Sequence, residues 1–137
     1  MDPQDNIRVV KQTYDNFKTG NIPAVLSLVA DKVEWQVPDI EGVPLSGKRK
    51  GREEVADFFR ELAEEEDVIS FEPQDFIAQG DKVVALGTYS FRVKATRREF
   101  TSDFAHVFTI QNGKIARFQE YMDTAQVGIA YQQKAAA

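Results

Sequence analysis

His106 and Glu120 are the residues whose types and spacing point to chemistry. His106 is the only histidine among the 137 residues. Glu120 stands fourteen residues downstream, across the Asn112-Gly113 pair that is the strongest short-range signal for a β-hairpin. If the two side chains meet on one face, the imidazole can orient the carboxylate, shuttle its proton or donate to a ligand carbonyl, while the carboxylate serves as a general base. A carboxylate on an apolar wall is poorly hydrated, which favours its taking up a proton. Whether the pair meets depends on register.

A two-residue turn would pair Phe104, His106, Phe108 and Ile110 with Ile115, Arg117, Gln119 and Tyr121, and that face has no clear inside. A three-residue loop, with Gly113 left-handed in a bulge, shifts the partner strand by one residue and turns its side chains over. Phe104, His106, Phe108 and Ile110 then share a face with Ala116, Phe118, Glu120 and Met122. Asp103, Thr109, Arg117, Gln119, Tyr121 and Asp123 fall on the other, mixed face, where the two aspartates fit a solvated surface or a dimer contact. Segregation of apolar groups selects the bulged loop, and with it a His106–Glu120 pair on the concave side of a sheet.

The rest of the chain must build that sheet and cover it. Ile7, Val10, Tyr14 and Phe17 recur at helical spacing until Gly20, and Ala24, Val25, Leu28 and Val29 suit a second short helix. Val33, Trp35 and Val37 alternate with Glu34 and Gln36 as a strand, followed by a Gly- and Pro-rich loop through Gly51. A third helix carries the stripe Val55, Phe58, Phe59 and Leu62 behind Arg52-Glu53-Glu54. From Val68 onward the chain reads as strands over about 68–78 and 82–94, with turns at Gly80-Asp81 and near Arg97-Arg98, before the hairpin. Thr124 to Gln133 is a short helix or an extended cover. The order predicts one α+β domain over 1–137, with helices on one face of a curved antiparallel sheet.

Composition narrows the function. With no cysteine there are no disulfides, thiolate nucleophiles or cysteine-type zinc sites, and one histidine rules out a multi-histidine metal centre within one chain. A net charge of −5 argues against a nucleic-acid footprint. No run is long and apolar enough for a membrane span, and the start has no signal-peptide pattern, so the expected compartment is the cytoplasm. Lys48-Arg49-Lys50 with Arg52, and Arg97-Arg98, read as solvated loops; Glu64-Glu65-Glu66-Asp67 reads as an acidic helix end facing water. Ala135-Ala136-Ala137 reads as a frayed end.

Taken together, Gly20-Asn21, Val33-Glu34-Trp35, Gly51-Arg52-Glu53-Glu54-Val55 with Phe58-Phe59, and His106-Val107-Phe108 leading through Asn112-Gly113-Lys114-Ile115 to Glu120-Tyr121-Met122-Asp123-Thr124 resemble the SnoaL-like polyketide cyclases. These share the cone-shaped fold of nuclear transport factor 2 and ketosteroid isomerase, and the resemblance covers about residues 5–128. It implies a curved sheet with three N-terminal helices enclosing a pocket. The fold hosts enzymes, binding modules and assembly domains alike.

Family activities can be compared residue by residue. Steroid isomerases place an acid on the first strand and another just before the hairpin histidine, where this chain has Trp35 and Ala105; only Tyr14, shifted by one, answers to their helical tyrosine. Epoxide hydrolases of the limonene type need Arg-x-Asp where this chain reads Leu86-Gly87-Thr88. The cyclase pair of histidine and aspartate resembles His106 and Glu120, with a longer acid. The resemblance implies a cofactor-free isomerase or cyclase that abstracts a proton α to a carbonyl, with Glu120 as base and His106 beside it. Trp35, Tyr14, Phe59, Tyr89, Phe104, Phe108, Phe118 and Met122 would wall a site for a small apolar or aromatic molecule. No metal, cofactor, nucleic acid or membrane is expected, and the fold commonly forms homodimers through the sheet. Each feature also has a plainer reading: His106–Glu120 as a satisfied buried pair, Trp35 and Tyr14 as core, the protein as a non-catalytic binding or dimerisation module.

Overall fold

In the computed structural model, which describes residues 2–132, four helices and six strands follow in the order α1 (Pro3–Lys18), α2 (Ile22–Ser27), β1 (Val29–Val37), β2 (Gly47–Lys50), α3 (Gly51–Glu65), β3 (Glu66–Gln79), β4 (Lys82–Val93), β5 (Glu99–Gln111), β6 (Lys114–Met122) and α4 (Thr124–Tyr131). The expectation for Ala135–Ala137 lies outside the described residues. No helix among those described is long and apolar enough to cross a membrane.

The strands form one curved, open sheet ordered β2-β1-β6-β5-β4-β3. Neighbours are antiparallel except β1 and β6, which run parallel. Curvature has a local cause on β3 and β4. Strand β3 carries an extra residue at Ile69 and another at Gln74, and Gly87 of β4 lies opposite the second. A Cβ on Gly87 would sit 2.4 Å from the Glu72 carbonyl oxygen and 2.7 Å from the Phe104 ring, so only glycine lets the strands close here.

Each covering helix has a legible beginning. Asp2 and Asn21 accept from Gln4 and Ala24 N–H as caps of α1 and α2, and each helix has proline in its first turn. Asp123 likewise caps α4, which gives this acid of the mixed face a structural task. The buried stripe of α3, Val55, Phe58 and Phe59, packs toward Trp35. Between helices and sheet lies a core in which Val10, Val25, Val33, Val55, Phe108 and Ile115 are almost wholly buried.

The hairpin has the expected facing of Phe104, His106 and Phe108 with Met122, Glu120 and Phe118 by a different route, but Ile110 faces Ile115 rather than Ala116. Gln111 pairs with Lys114 and Ile110 with Ile115, so the turn has two residues. Asn112 and Gly113 both have positive φ, 53° and 74°, the signature of the turn most favoured between twisted strands. The one-residue shift comes instead from a bulge at Ala116, after which Thr109 faces Arg117, Phe108 faces Phe118, His106 faces Glu120 and Phe104 faces Met122. Asn and Gly take the left-handed region cheaply, so the turn keeps its preferred form and the bulge meets the burial requirement one step further in.

Three other expectations change. Val29 is the first residue of β1 rather than part of α2. Lys48-Arg49-Lys50 is the edge strand β2, with Arg49 half-buried: its guanidinium lies 4.8 Å from the Phe58 ring centroid and donates to the Leu45 carbonyl. Glu66 does not face water, and it belongs to the interior described next.

Candidate functional site

The helices and the concave face of the sheet enclose a cavity of about 110 Å³. Helix α1 contributes Thr13, Tyr14 and Phe17; β1 contributes Trp35 and Val37; α3 contributes Phe58, Phe59 and Leu62. The sheet centre adds Phe71, Tyr89, Phe91, Phe100, His106, Phe108, Phe118, Glu120 and Met122, and Val127 of α4 closes one side. Among the described residues its ionisable side chains, apart from His106, are two tyrosines and two carboxylates, Glu120 and Glu66, with no Lys or Arg in the lining.

The facing of His106 and Glu120 across the hairpin brings His106 Nε2 to 2.8 Å from Glu120 Oε2. Tyr14, one helical face below, puts its hydroxyl 2.8 Å from His106 Nδ1. From the other side Tyr89 donates to the same Glu120 oxygen at 3.0 Å. Burial, and after it the nearby Glu120 carboxylate, pushes both tyrosine hydroxyls far above the ordinary phenol range, so each keeps its proton and donates it. Tyr14 therefore occupies Nδ1 as donor, which leaves the ring hydrogen on Nε2, directed at Glu120. His106 is 4% exposed, and the Glu120 side chain 14%. With Oε2 held twice, Glu120 Oε1 has no hydrogen-bond partner among the described residues and is not sealed off. The chain Tyr14–His106–Glu120–Tyr89 fixes a carboxylate and leaves one oxygen free for a proton.

Aromatic rings pack around this hydrogen-bonded chain. Trp35 stacks on Phe118 at 4.0 Å between centroids, and His106 stacks on Phe104 at 4.3 Å. Phe104 is the one proposed wall residue that the structure removes from the cavity lining. Its ring packs behind the surface, stacked between His106 and Tyr89 and wedged over Gly87. Alternation along β5 gives its face correctly but not its depth. Trp35, Tyr14, Phe59, Tyr89, Phe108, Phe118 and Met122 do line the cavity.

Sequence reasoning missed two ionisable residues of the cavity region, Glu66, which it read as facing water, and Tyr131. Glu66, 7% exposed, lines the cavity and accepts a hydrogen bond from the Tyr131 hydroxyl of α4. Burial raises its carboxyl from the ordinary range to about 7; the Tyr131 bond opposes this, and the charges of Glu120 and Glu65 add to it. The signal was present but weak: position 66 continues the buried stripe Val55, Phe58/Phe59, Leu62 by one more helical step, and Tyr131 follows Val127 at four residues. An acidic run hid the first, and a tail left open between a short helix and an extended cover hid the second.

The sequence matches the SnoaL-like domain model over residues 10–118. The chain belongs to the SnoaL-like family. This SnoaL-like protein matches no curated protein, but solved structures resemble it over nearly its full length. An NTF2-like protein from Burkholderia xenovorans LB400 is 29% identical, with 96% of this chain and 99% of that one aligned and a TM-score of 0.87. An NTF2-like protein from Burkholderia thailandensis E264 gives 29% identity, 93% and 97% coverage and a TM-score of 0.83. TerC, co-crystallised with polyporic acid, gives 27% identity, 93% and 98% coverage and a TM-score of 0.81.

Proposed function

We propose that this SnoaL-like protein binds a small apolar or aromatic molecule bearing a carbonyl and abstracts a proton α to that carbonyl, as a cofactor-free isomerase or cyclase. One observation carries the reading: a carboxylate whose Oε2 is anchored by His106 and Tyr89 and whose Oε1 is free, on the wall of an otherwise aromatic cavity. Glu120 takes the proton. The imidazole, braced by Tyr14, keeps the carboxylate oriented and spreads the change of charge as the proton arrives. The aromatic walls exclude water and place the substrate against Oε1, and placement of this kind supplies much of the rate in such steps. The co-crystallisation of TerC with polyporic acid supports a small organic molecule as the ligand.

Nuclear magnetic resonance of a panel of aryl and cyclic ketones in D2O tests the reading. Uptake of deuterium at the α-carbon that disappears in Glu120→Gln supports it. Ligand binding by both proteins without exchange by either establishes the second reading, a binding module, which the complete internal pairing of His106 favours. We also infer a homodimer through the outer sheet face. Sedimentation equilibrium showing only monomer would contradict it.

A further inference from the structure

The relay leaves one buried titratable group without a task. Glu66 opens β3, where the chain passes from α3 into the sheet, and its carboxyl faces the cavity that also holds Glu120. Its one side-chain partner is the Tyr131 hydroxyl, donated to Oε2, so Oε1 is unclaimed by any described residue. The groups around it are few: Tyr131 from α4, Glu120 from β6, Glu65 from α3 and Tyr89 from β4. The nearby cations turn elsewhere. Lys94 binds the Ala63 carbonyl and lies 3.8 Å from Asp67, and Arg98 donates to the Ile129 carbonyl of α4. Among the described residues no positive charge stabilises an ionised Glu66.

We propose that Glu66 is the acid that complements Glu120: its carboxyl, steered by Tyr131, gives a proton to the oxygen of the ligand whose carbon Glu120 deprotonates. The proposal rests on the proton-abstraction reading above and deepens it by requiring a ligand whose carbonyl oxygen reaches Glu66 when its acidic C–H lies at Glu120. The step balances within the two side chains. Glu120 Oε1 takes the proton from carbon, the C–H electron pair becomes the new C=C bond, and the carbonyl π pair takes the Glu66 proton to form an enol. Glu120 then returns its proton to the same carbon or to a conjugated one while the enol O–H proton goes back to Glu66, which restores the carbonyl and both side chains. Two carboxyls in one apolar cavity cannot both ionise cheaply, so the doubly donated one keeps the charge and the other keeps the proton. The rise of Glu66 to about 7 agrees with that division.

The experiment is α-hydrogen exchange of cyclohexanone and acetophenone between pH 5 and 9 by the full chain, with Glu66→Gln, Glu120→Gln and Tyr131→Phe, each checked by circular dichroism. It is paired with the carboxyl carbon resonance of Glu66 in labelled protein. The proposal expects exchange by the wild type to fall on the alkaline side with a midpoint near 7. Glu66→Gln should be slower by about 100-fold and lack that limb. Tyr131→Phe removes the bond that lowers Glu66, so its limb moves to higher pH, which a purely structural role would not produce. Exchange in Glu66→Gln at the wild-type rate with the limb intact, or a Glu66 resonance titrating in the ordinary carboxylate range, overturns the acid while leaving Glu120 as base. Absence of exchange in the wild type, or exchange that survives Glu120→Gln, removes the base reading and this proposal with it.

Discussion

The two carboxyl groups of one cavity stand in opposite circumstances. Glu120 sits mid-sheet, with His106 and Tyr89 donating to a single oxygen, while Glu66 sits at the helix–sheet junction with one donor from α4. The first is placed by ladder geometry and the second by packing at the chain's far end. Glu66 is the more deeply buried and receives the fewer hydrogen bonds, and both differences favour its holding a proton more firmly than an ordinary carboxyl, as the proposed acid requires.

Breaking the ground both share should have the largest effect. Phe108 is 1% exposed and its ring contacts Tyr14, His106 and Phe118. Phe108→Ala should cost about 3–5 kcal/mol in urea unfolding, because the sheet cannot collapse into the void.

Next comes the pH test of Glu66 alone. Its carboxyl lies near 7 folded and in the ordinary range unfolded, so rising pH strips the proton from the unfolded chain first. Stability should therefore be full below the ordinary carboxylate range, fall as pH rises toward 7 and then level off, by at most about 3 kcal/mol. Glu66→Gln should lack this decline and be the more stable protein at pH 8. Equal pH dependence in both proteins would refute the assignment.

On the Glu120 side, Tyr14→Phe leaves Nδ1 of a buried imidazole without its donor, at a cost of about 1–3 kcal/mol. Its pH dependence of stability should keep the Glu66 decline, which separates the two regions. The smallest effect belongs to the turn. Gly113→Ala, at φ 74°, should cost roughly 1 kcal/mol yet preserve the cavity, because the register is held by the bulge at Ala116 rather than by the loop. Loss of the His106–Glu120 contact in that variant would return register control to the turn.

The same contrast explains what could be read from sequence. Helix α1, the strand around Trp35, α3 and the hairpin announce themselves by period and turn chemistry, and His106 meets Glu120 because only fourteen residues and one turn separate them. Burial pattern fixed which faces point inward from Arg117 onward, though it misplaced the bulge and so put Ala116 rather than Ile115 beside Ile110, since a three-residue loop and a two-residue turn followed by a bulge give the same alternation only beyond the bulge. Phe104 shows that alternation assigns a face without assigning depth. Glu66 and Tyr131 meet across 65 residues, and no periodicity links a helix end to a tail that packs on it. Arg49 was hidden in a different way, because a basic run looks solvated until an aromatic ring is found beneath it.

Because His106 is the only histidine, the nitrogen resonances of one imidazole report directly on the relay. At pH 8 the account predicts an acceptor-type Nδ1 and a protonated Nε2 whose proton shifts in Glu120→Gln. A proton on Nδ1, or two tautomers in rapid exchange, would contradict it.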